Sequence, residues 1–263
     1  MTSASPFLCL HIAAFTHVGL RRAKNEDCIT IGTRTVSESM AEPWAAVHQL
    51  DPPCICLVAD GMGGHPAGDV ASRLAAERVI ASFFDLGATE HALAAAVHSA
   101  NRALFIEMAR TPAYYGMGTT LAGIVAHASG VTAVNVGDSR IYRFQGGTLA
   151  QLSFDDTTEL DLLTASSRGP TRMLNQCLGG FAGGEEIEPH LTHLPLVEGE
   201  AFLICSDGLH DMLSDRDIAG RLGDDLVGSV SRLFEGAMEE GGIDNISIIY
   251  ARIERADGKP TLG

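Results

Sequence analysis

Short apolar segments separated by tight turns dominate the pattern of hydrophobic positions along the chain. Residues 54–59 form an unbroken apolar run that ends at Asp60, which predicts a buried strand. Residues 119–128 and 131–136 flank the turn at 129–130, and such tight turns require antiparallel pairing of the strands that they join. The same pattern predicts strands over residues 140–144, 148–152, 201–205 and 246–253.

Longer segments carry the spacing of amphipathic helices instead. Residues 66–86 begin with a proline and repeat apolar residues on one face, and residues 89–110 do the same. Further helices are predicted near residues 215–222 and 224–240. Residues 33–53 show weak periodicity and contain three prolines, so we expect an irregular connection there. Because strands and helix pairs are segregated, the pattern favours an α+β fold, an antiparallel sandwich covered by helices, over a doubly wound parallel sheet.

Composition narrows the class of protein. The 263 residues fit a single domain spanning 1–263, since no linker-like tract divides them. No apolar run reaches the roughly 18 residues of a membrane span, and the first residues lack the features of a signal peptide. The formal net charge of −15 argues against a nucleic-acid partner, because phosphate backbones attract basic surfaces.

The six cysteines are scattered along the chain, several of them within apolar runs. Cys54 and Cys56 point to one face of a predicted strand, but no second pair completes a zinc site. We interpret all of them as buried thiols of a protein kept in a reducing compartment, which indicates the cytoplasm.

Acidic residues stand at the ends of the predicted strands. Asp60 and Asp207 follow apolar runs, Asp138 follows VTAVNVG, Asp244 precedes NISIIY, and Glu26 stands ahead of another β-prone segment. Unpaired buried charge is costly, and no Lys or Arg lies close in sequence to Asp60, Asp207 or Asp244. Each acid taken singly fits a solvated loop residue, but together they indicate a cluster of oxygen ligands for magnesium or manganese.

Six motifs carry a resemblance to a known family. They are VGLRRAKNED (18–27), VADGMGGHPAGD (58–69), GMGTT (116–120), VNVGDSR (134–140), CSDGLHDMLSD (205–215) and GGIDNISII (241–249). Over residues 15–253 the chain resembles the metal-dependent serine/threonine protein phosphatases of type 2C, in their bacterial form. The resemblance implies a central β-sandwich of two antiparallel sheets with helix pairs on both outer faces, in four layers α-β-β-α.

The resemblance also implies a ligand set for two divalent ions, Mn²⁺ or Mg²⁺. Asp60 would bridge the two ions, and the carbonyl of Gly61 would bind one of them. Asp207 and Asp244 would complete the site of the first ion, and Glu26 would serve the second.

Further residues acquire roles by the same resemblance. Asp138 would join Asp207 in binding a third, weaker ion. Arg22 would bind the substrate phosphate, while Asp27 and Asn245 would orient bound water and ligands. For His65, the motif histidine nearest to the predicted metals, two roles stay open: a general acid or a structural hydrogen bond.

The implied reaction is hydrolysis of phosphoserine and phosphothreonine in proteins. A metal-activated water would attack the phosphate directly, so that no phosphoenzyme forms. The partners would be phosphorylated proteins and a bacterial serine/threonine kinase that the enzyme opposes, and we expect a monomer that binds neither nucleic acid nor membrane. The alternative, a pseudophosphatase that binds phosphoproteins as a regulatory module, would need a broken ligand set, whereas all the predicted acids are present.

Two other patterns admit different interpretations. Cys28 and Arg34 have the spacing of a cysteine-phosphatase loop, but two acidic residues directly precede the sulfur, and negative charge disfavours a thiolate. His190 and His193 in EPHLTHLP are compatible with a zinc site, although a surface loop is the better interpretation.

Three features depart from the usual pattern of the family. His17 stands where an aspartate is common, and Asp156 stands where a histidine is common. Residues 158–175 are short for the flap beside the catalytic site, and Arg168 and Arg172 within them are either solvated or placed to contact a phosphopeptide. None of these departures touches a predicted metal ligand, so they affect substrate selection rather than the chemistry.

Overall fold

The structure is a computed structural model that describes residues 8–62, 67–160, 171–180 and 186–256. The strands within these ranges are β1 (Leu8–His17), β2 (Asp27–Ile31), β3 (Arg34–Val36), β4 (Trp44–Gln49), β5 (Cys54–Asp60), β6 (Gly118–Thr119), β7 (Leu121–His127), β8 (Gly130–Val136), β9 (Arg140–Gln145), β10 (Thr148–Gln151), β11 (Thr157–Leu160), β12 (Thr171–Leu174), β13 (Leu178–Gly179), β14 (His190–Leu194), β15 (Ala201–Cys205) and β16 (Ile246–Arg255). The helices are α1 (Gly68–Asp85), α2 (Glu90–Arg110), α3 (Asp207–His210), α4 (Asp215–Arg221) and α5 (Leu226–Glu239), with a 3-10 turn at Pro112–Tyr114.

Two six-stranded antiparallel sheets form the centre of the molecule. The first has the strand order β10-β9-β15-β16-β1-β4, and the second has the order β14-β8-β7-β5-β2-β3. Strand β1 pairs with β16 along its whole length, from Leu8 opposite Arg255 to His17 opposite Ile246. Two short ladders, β11 with β12 and β6 with β13, accompany the large sheets.

Buried hydrophobic side chains form three clusters that separate four layers. The cluster between the sheets takes side chains from both of them, including Ile12 of β1 and Ile29 of β2. A second cluster packs the second sheet against α1 and α2 through residues such as Val79 and Leu104. The third packs the first sheet against α3, α4 and α5, with Leu233 among its buried members. The predicted α+β sandwich with the layer order α-β-β-α is therefore confirmed.

The clearest hydrophobic patterns in the sequence predict the bounds of the observed strands and helices closely. Strand β15 begins and ends at the predicted residues, and β7 and β8 pair across the predicted turn. Helix α2 starts at the predicted position because the Thr89 hydroxyl accepts a hydrogen bond from the N–H of Ala92 at 3.2 Å. Helix α1 matches the predicted segment between Gly68 and Asp85.

Two segments that we expected to be irregular are edge strands. Residues 33–53 contain β3 and β4, and the side chains of β4 alternate between half-buried and exposed positions. The segment EPHLTHLP contains β14, which pairs with β8 at the edge of the second sheet, so the surface-loop interpretation is wrong. Neither WAAVHQ in β4 nor HLTHL in β14 alternates strictly between apolar and polar residues, as a typical half-buried strand does, which explains both errors.

The six cysteines are all free thiols. Five of them are buried and Cys177 is half-buried, which largely confirms their interpretation as buried thiols. Within the part of the chain that the structure describes, no helix is long and apolar enough to cross a membrane.

Candidate metal centre

Acidic side chains from several elements meet at one end of the sandwich. Asp60 ends β5 and lies opposite Asp27, the first residue of β2, because these two strands are antiparallel. Asp207 begins α3 directly after β15, Asp138 lies in the turn between β8 and β9, and Asp244 lies just before β16. The other four aspartates lie close enough for their charges to raise the pKa of Asp60.

Burial and mutual repulsion raise the pKa values of Asp60, Asp207 and Asp27. Burial is the main reason that the pKa of Asp60 lies well above its ordinary value, and neighbouring negative charges raise it further. Burial, followed by repulsion from Asp244, raises the pKa of Asp207 to about 8. Burial likewise raises the pKa of Asp27 to about 6. A divalent cation would relieve both effects, since it supplies positive charge where the buried groups must ionise.

Glu26 and Gly61 lie next to each other at the start of α1. The Gly61 N–H donates to the Glu26 carbonyl oxygen at 3.2 Å. A Cβ atom on Gly61 would lie 2.2 Å from the Gly68 carbonyl oxygen, so this position accepts only glycine. A Cβ atom on Gly68 would lie 2.9 Å from Glu26 Oε1 and 3.0 Å from the Gly61 carbonyl oxygen. The Glu26 carboxylate and the Gly61 carbonyl therefore face one small space.

The donor set of this end of the sandwich fits a hard divalent cation. Its atoms are carboxylate and carbonyl oxygens, which magnesium and manganese prefer. Buried carboxylate oxygens of Asp27, Asp69 and Asp207 have no hydrogen-bond partner among the described residues. Across these same residues, no three Asp, Glu, His or Cys side chains already surround one point. The roles of the individual acids as ligands stay predictions.

Arg22 forms an ion pair with this cluster. Its Nη2 atom lies 2.5 Å from Asp244 Oδ2, and 43% of its side chain stays exposed. The hydrogen bond to Asp244 is the main reason that the pKa of Arg22 is raised, and the charges of Asp207 and Asp60 add to it. The guanidinium is thus held beside the acidic cluster, open to solvent on one side, where a phosphate anion can reach it.

Asn245 ties together the segments that carry predicted ligands. Its Oδ1 accepts the N–H of Glu26 at 2.8 Å, and its Nδ2 donates to the carbonyl oxygens of Val18 and Lys24 at 3.0 Å each. Its own N–H donates to Asp244 Oδ1 at 2.8 Å. These bonds fix the loop before β2 against the loop before β16.

Asp27 is held in a similar way at the start of β2. The residue has no exposed surface, and its Oδ2 accepts the Ser206 hydroxyl at 2.8 Å. The Ser206 hydroxyl oxygen in turn accepts the N–H of Ser247 at 3.0 Å. Because Asp207 directly follows Ser206, this hydrogen bond joins β2 to the start of α3.

Two polar residues near the cluster were not predicted from the sequence to belong to the site. Asp69 pairs with Lys24, with Nζ and Oδ2 2.6 Å apart, and its charge helps to raise the pKa of Glu26 after the larger effect of burial. His210 donates from Nε2 to the Asp138 carbonyl oxygen at 3.0 Å. Both residues lie within the quoted motifs, VADGMGGHPAGD and CSDGLHDMLSD, so their position in those motifs is the signal that could have identified them.

The residues that depart from the family pattern make specific contacts. His17 accepts the N–H of Gly19 on Nδ1 at 3.0 Å. The Asp156 carboxylate accepts the N–H of Gly137 at 2.9 Å and lies 2.8 Å from His190 Nε2. His190 thus pairs with a carboxylate rather than with the neighbouring histidine of its strand. Predictions for His65 and Arg168 fall outside the described residues, as does the side chain of Arg172 in β12.

The cysteine-phosphatase alternative is wrong. Cys28 is fully buried within β2, and burial raises the pKa of its thiol to about 12. Arg34 stacks its guanidinium 4.3 Å from the ring centre of Trp44 instead of facing a phosphate loop. A buried neutral thiol on a strand cannot act as the nucleophile.

Comparisons with known proteins agree on one family. A family model described as protein phosphatase 2C matches residues 43–245. The serine/threonine protein phosphatase PstP of Mycobacterium tuberculosis is 34% identical over 257 residues, which cover 94% of this chain and 45% of PstP. The protein phosphatase PhpP of Streptococcus pneumoniae is 26% identical over 265 residues, which cover 95% of this chain and 100% of PhpP. The chain therefore spans less than half the length of PstP and the whole length of PhpP.

A solved structure shares the fold. The catalytic domain of PstP in complex with two manganese ions matches with a TM-score of 0.70 and 32% identity, over 94% of this chain and 99% of that domain. The segment matched by the family model covers most of this chain and includes Asp60, Asp138, Asp207 and Asp244. The chain thus belongs to the protein phosphatase 2C family.

Proposed function

We propose that this chain hydrolyses phosphoserine and phosphothreonine in proteins with two divalent ions, Mn²⁺ or Mg²⁺, bound at the acidic cluster. The observation that carries the proposal is the group of buried carboxyls, chiefly Asp60, Asp207 and Asp27, whose pKa values burial and repulsion raise. Such a group is costly in free energy unless a cation neutralises it. The two manganese ions in the PstP structure support the same assignment.

The proposed ligands come from the segments that meet at this end of the sandwich. Asp60 would be a ligand of both ions, and the Gly61 carbonyl would bind one of them. Asp207 and Asp244 would complete the first site, and Glu26 would serve the second. Support comes from the small space that the Glu26 carboxylate and the Gly61 carbonyl face together. It also comes from the charges of Asp207 and Asp244, which raise the pKa of Asp60. A third, weaker ion would be held by Asp138 together with Asp207.

The remaining chemistry belongs to side chains around the ions. Bound Mn²⁺ or Mg²⁺ supplies an activated water and neutralises phosphoryl oxygens. Arg22 holds the phosphate in line for attack, and Asp27 and Asn245 keep the segments of the site in register. Because no side chain has to act as nucleophile, the phosphate passes to water without a phosphoenzyme. For His65 two proposed roles stay open, protonation of the leaving alkoxide or a structural hydrogen bond.

We also propose the setting in which this reaction takes place. The chain acts as a single domain and a monomer in the cytoplasm, on phosphorylated proteins, and opposes a serine/threonine kinase. The relatives named serine/threonine protein phosphatases support the substrate class. Nothing favours the pseudophosphatase alternative, because every predicted acid is present in the chain.

Phosphate release from a phosphothreonine peptide tests the proposed function. Activity should require Mn²⁺ or Mg²⁺, and a chelator should abolish it reversibly. Asp60→Asn keeps the size of the side chain but removes the charge shared by both ions, so it should lower kcat by about a thousandfold. The matched control is Asp85→Asn, which changes an exposed acid at the far end of α1 and should retain wild-type activity. Activity that survives thorough chelation, or a nearly normal kcat for Asp60→Asn, would contradict the proposal.

A further inference from the structure

Two large hydrophobic side chains are exposed beside the Arg22–Asp244 ion pair. Leu20 is 59% exposed and Ile243 is 54% exposed. Single exposed hydrophobic residues are common on protein surfaces, but neighbouring ones at a functional site indicate a binding surface. These two residues come from opposite ends of the chain and meet next to the predicted phosphate-binding arginine.

The loops that carry the two residues contact each other directly. The N–H of Leu20 donates to the Gly242 carbonyl oxygen at 2.7 Å. A Cβ atom on Gly242 would lie 3.2 Å from Leu20 Cγ, so the leucine side chain covers this glycine. Ile243 is the next residue in the chain. Leu20 and Ile243 are therefore two exposed apolar residues carried on adjoining loops, and we name them together the Leu20–Ile243 shelf.

Both residues of the shelf lie near Arg22, Leu20 along the chain and Ile243 through the neighbouring Asp244. Leu20 precedes Arg22 by two residues, so their Cα atoms are at most about 7 Å apart. Ile243 directly precedes Asp244, whose carboxylate holds the Arg22 guanidinium at 2.5 Å. An apolar surface and a group that attracts phosphate therefore lie side by side.

The backbone beneath the shelf is fixed before any ligand binds. Asn245 donates from Nδ2 to the carbonyl oxygens of Val18 and Lys24, on either side of Leu20 and Arg22. Its N–H also donates to the Asp244 carboxylate. Because these bonds already order both loops, a ligand would bind without ordering them first.

We propose that the Leu20–Ile243 shelf binds an apolar side chain within two residues of the phosphorylated residue of a substrate protein. The proposal rests on the proposed function, since it uses Arg22 as the phosphate-binding group. An extended peptide advances about 3.3 Å per residue, so two residues span the distance between Leu20 and Arg22. The phosphate pairs with the guanidinium while the neighbouring apolar side chain is buried on the shelf. The surface thereby selects phosphorylated segments with a leucine-like residue beside the phosphosite.

The test uses phosphothreonine peptides that differ at a single position. Leucine or serine is placed at each of the two positions before and after the phosphothreonine, in a constant background of the same charge. We expect kcat/KM of the wild-type protein to be about tenfold higher with leucine than with serine at one or more of these positions, because leucine is removed from water. A leucine-to-serine ratio near one at every position would overturn the proposal.

Variants of the shelf then separate its effect from a general loss of activity. In Leu20→Ser/Ile243→Ser the leucine-to-serine ratio should fall to about twofold or less, and the ratio cancels any uniform change in turnover. The matched control is Ile106→Ser, which removes a residue that is 53% exposed on helix α2 and should leave the ratio unchanged. An unchanged ratio in the double variant would overturn the proposal.

Two further outcomes would show that the shelf binds a second copy of the chain or that the proposed phosphatase function is wrong. If sedimentation shows that the wild-type protein self-associates and that the double variant does not, the occupant of the shelf is a second copy and the proposal is overturned. If the wild-type protein releases phosphate from none of the peptides in the presence of Mn²⁺, the proposed function fails, and the shelf proposal fails with it. Phosphate release without a leucine preference removes the shelf proposal alone.

Discussion

Arg22 supplies positive charge to an end of the sandwich that is otherwise acidic. Its guanidinium pairs with Asp244, and its charge also lowers the pKa of Glu26, although burial raises that pKa overall. The arginine side chain stays partly exposed, so the ion pair leaves part of the guanidinium open to solvent. In the proposed role of Arg22, a substrate phosphate would compete with Asp244 for the same guanidinium, which would link substrate binding to a predicted metal ligand.

This dual role predicts the effect of removing the side chain. Arg22→Ala should lower kcat/KM for phosphopeptides by about 10- to 100-fold, mainly through a higher KM, because a charge-assisted contact to the phosphate is lost. The control is Arg21→Ala, which removes the same charge from the adjacent exposed residue and should change kcat/KM by less than about threefold. Steady-state kinetics on one phosphothreonine peptide checks both variants. Equal losses in the two variants would mean that only the general positive charge of this loop matters.

The turn between β8 and β9 shows how one side chain can join several elements. Asp156 accepts the N–H of Gly137 at 2.9 Å, and its own N–H donates to the Gly137 carbonyl oxygen at 3.1 Å. The same carboxylate accepts from Gln176 Nε2 and pairs with His190 of β14. On the other side of the turn, His210 donates to the Asp138 carbonyl oxygen. The turn that presents Asp138 is therefore held from two sides.

Loss of the Asp156 carboxylate should weaken this junction. Asp156→Ala leaves the buried Gly137 N–H without its acceptor, which should lower the free energy of unfolding by about 1–3 kcal/mol. For a chain of this size the melting temperature should fall by about 2–4 °C for each kcal/mol. Asp156→Asn retains one acceptor oxygen and should lose less, while Asp85→Ala at the exposed end of α1 serves as the control. Thermal unfolding measures all three, and an Asp156→Ala value equal to the control would show that the junction adds no stability.

The elements differ in how well the sequence predicts them. Strands β5 and β15 are buried on both faces, and α2 has a capping threonine, so their hydrophobic pattern suffices to find them. The edge strands β4 and β14 expose several of their side chains, and their identity depends on pairing with β1 and β8. The candidate ligands follow from family motifs, but the contacts of Asp156 and His210 do not, because their partners lie far away in sequence.

At the scale of the whole molecule, the acidic cluster couples folding to protons and metal ions. Burial and repulsion raise the pKa of Asp27 to about 6 and of Asp207 to about 8, and they raise that of Asp60 as well. In metal-free protein these groups hold protons in the folded state that the unfolded chain has already released. Their contribution to stability is therefore present below the unfolded pKa, near pH 4, and is lost as the pH rises through about 6 and then about 8. A bound cation reverses this trend, because it favours the ionised carboxylates.

The stabilisation by Mn²⁺ should consequently grow with pH. We expect the rise in melting temperature on adding excess Mn²⁺ to chelator-treated protein to be small at pH 5 and largest at pH 8, since protons compete with the metal for the proposed ligands Asp60 and Asp207. Thermal unfolding at fixed ionic strength, with and without Mn²⁺, measures this difference directly at each pH. In Asp207→Asn the group with a pKa of about 8 is removed, so the increase between pH 6 and pH 8 should flatten, whereas Asp85→Asn should follow the wild-type trend. An Mn²⁺ effect that is equal at pH 5 and pH 8 would mean that the ion binds to groups other than these buried carboxyls.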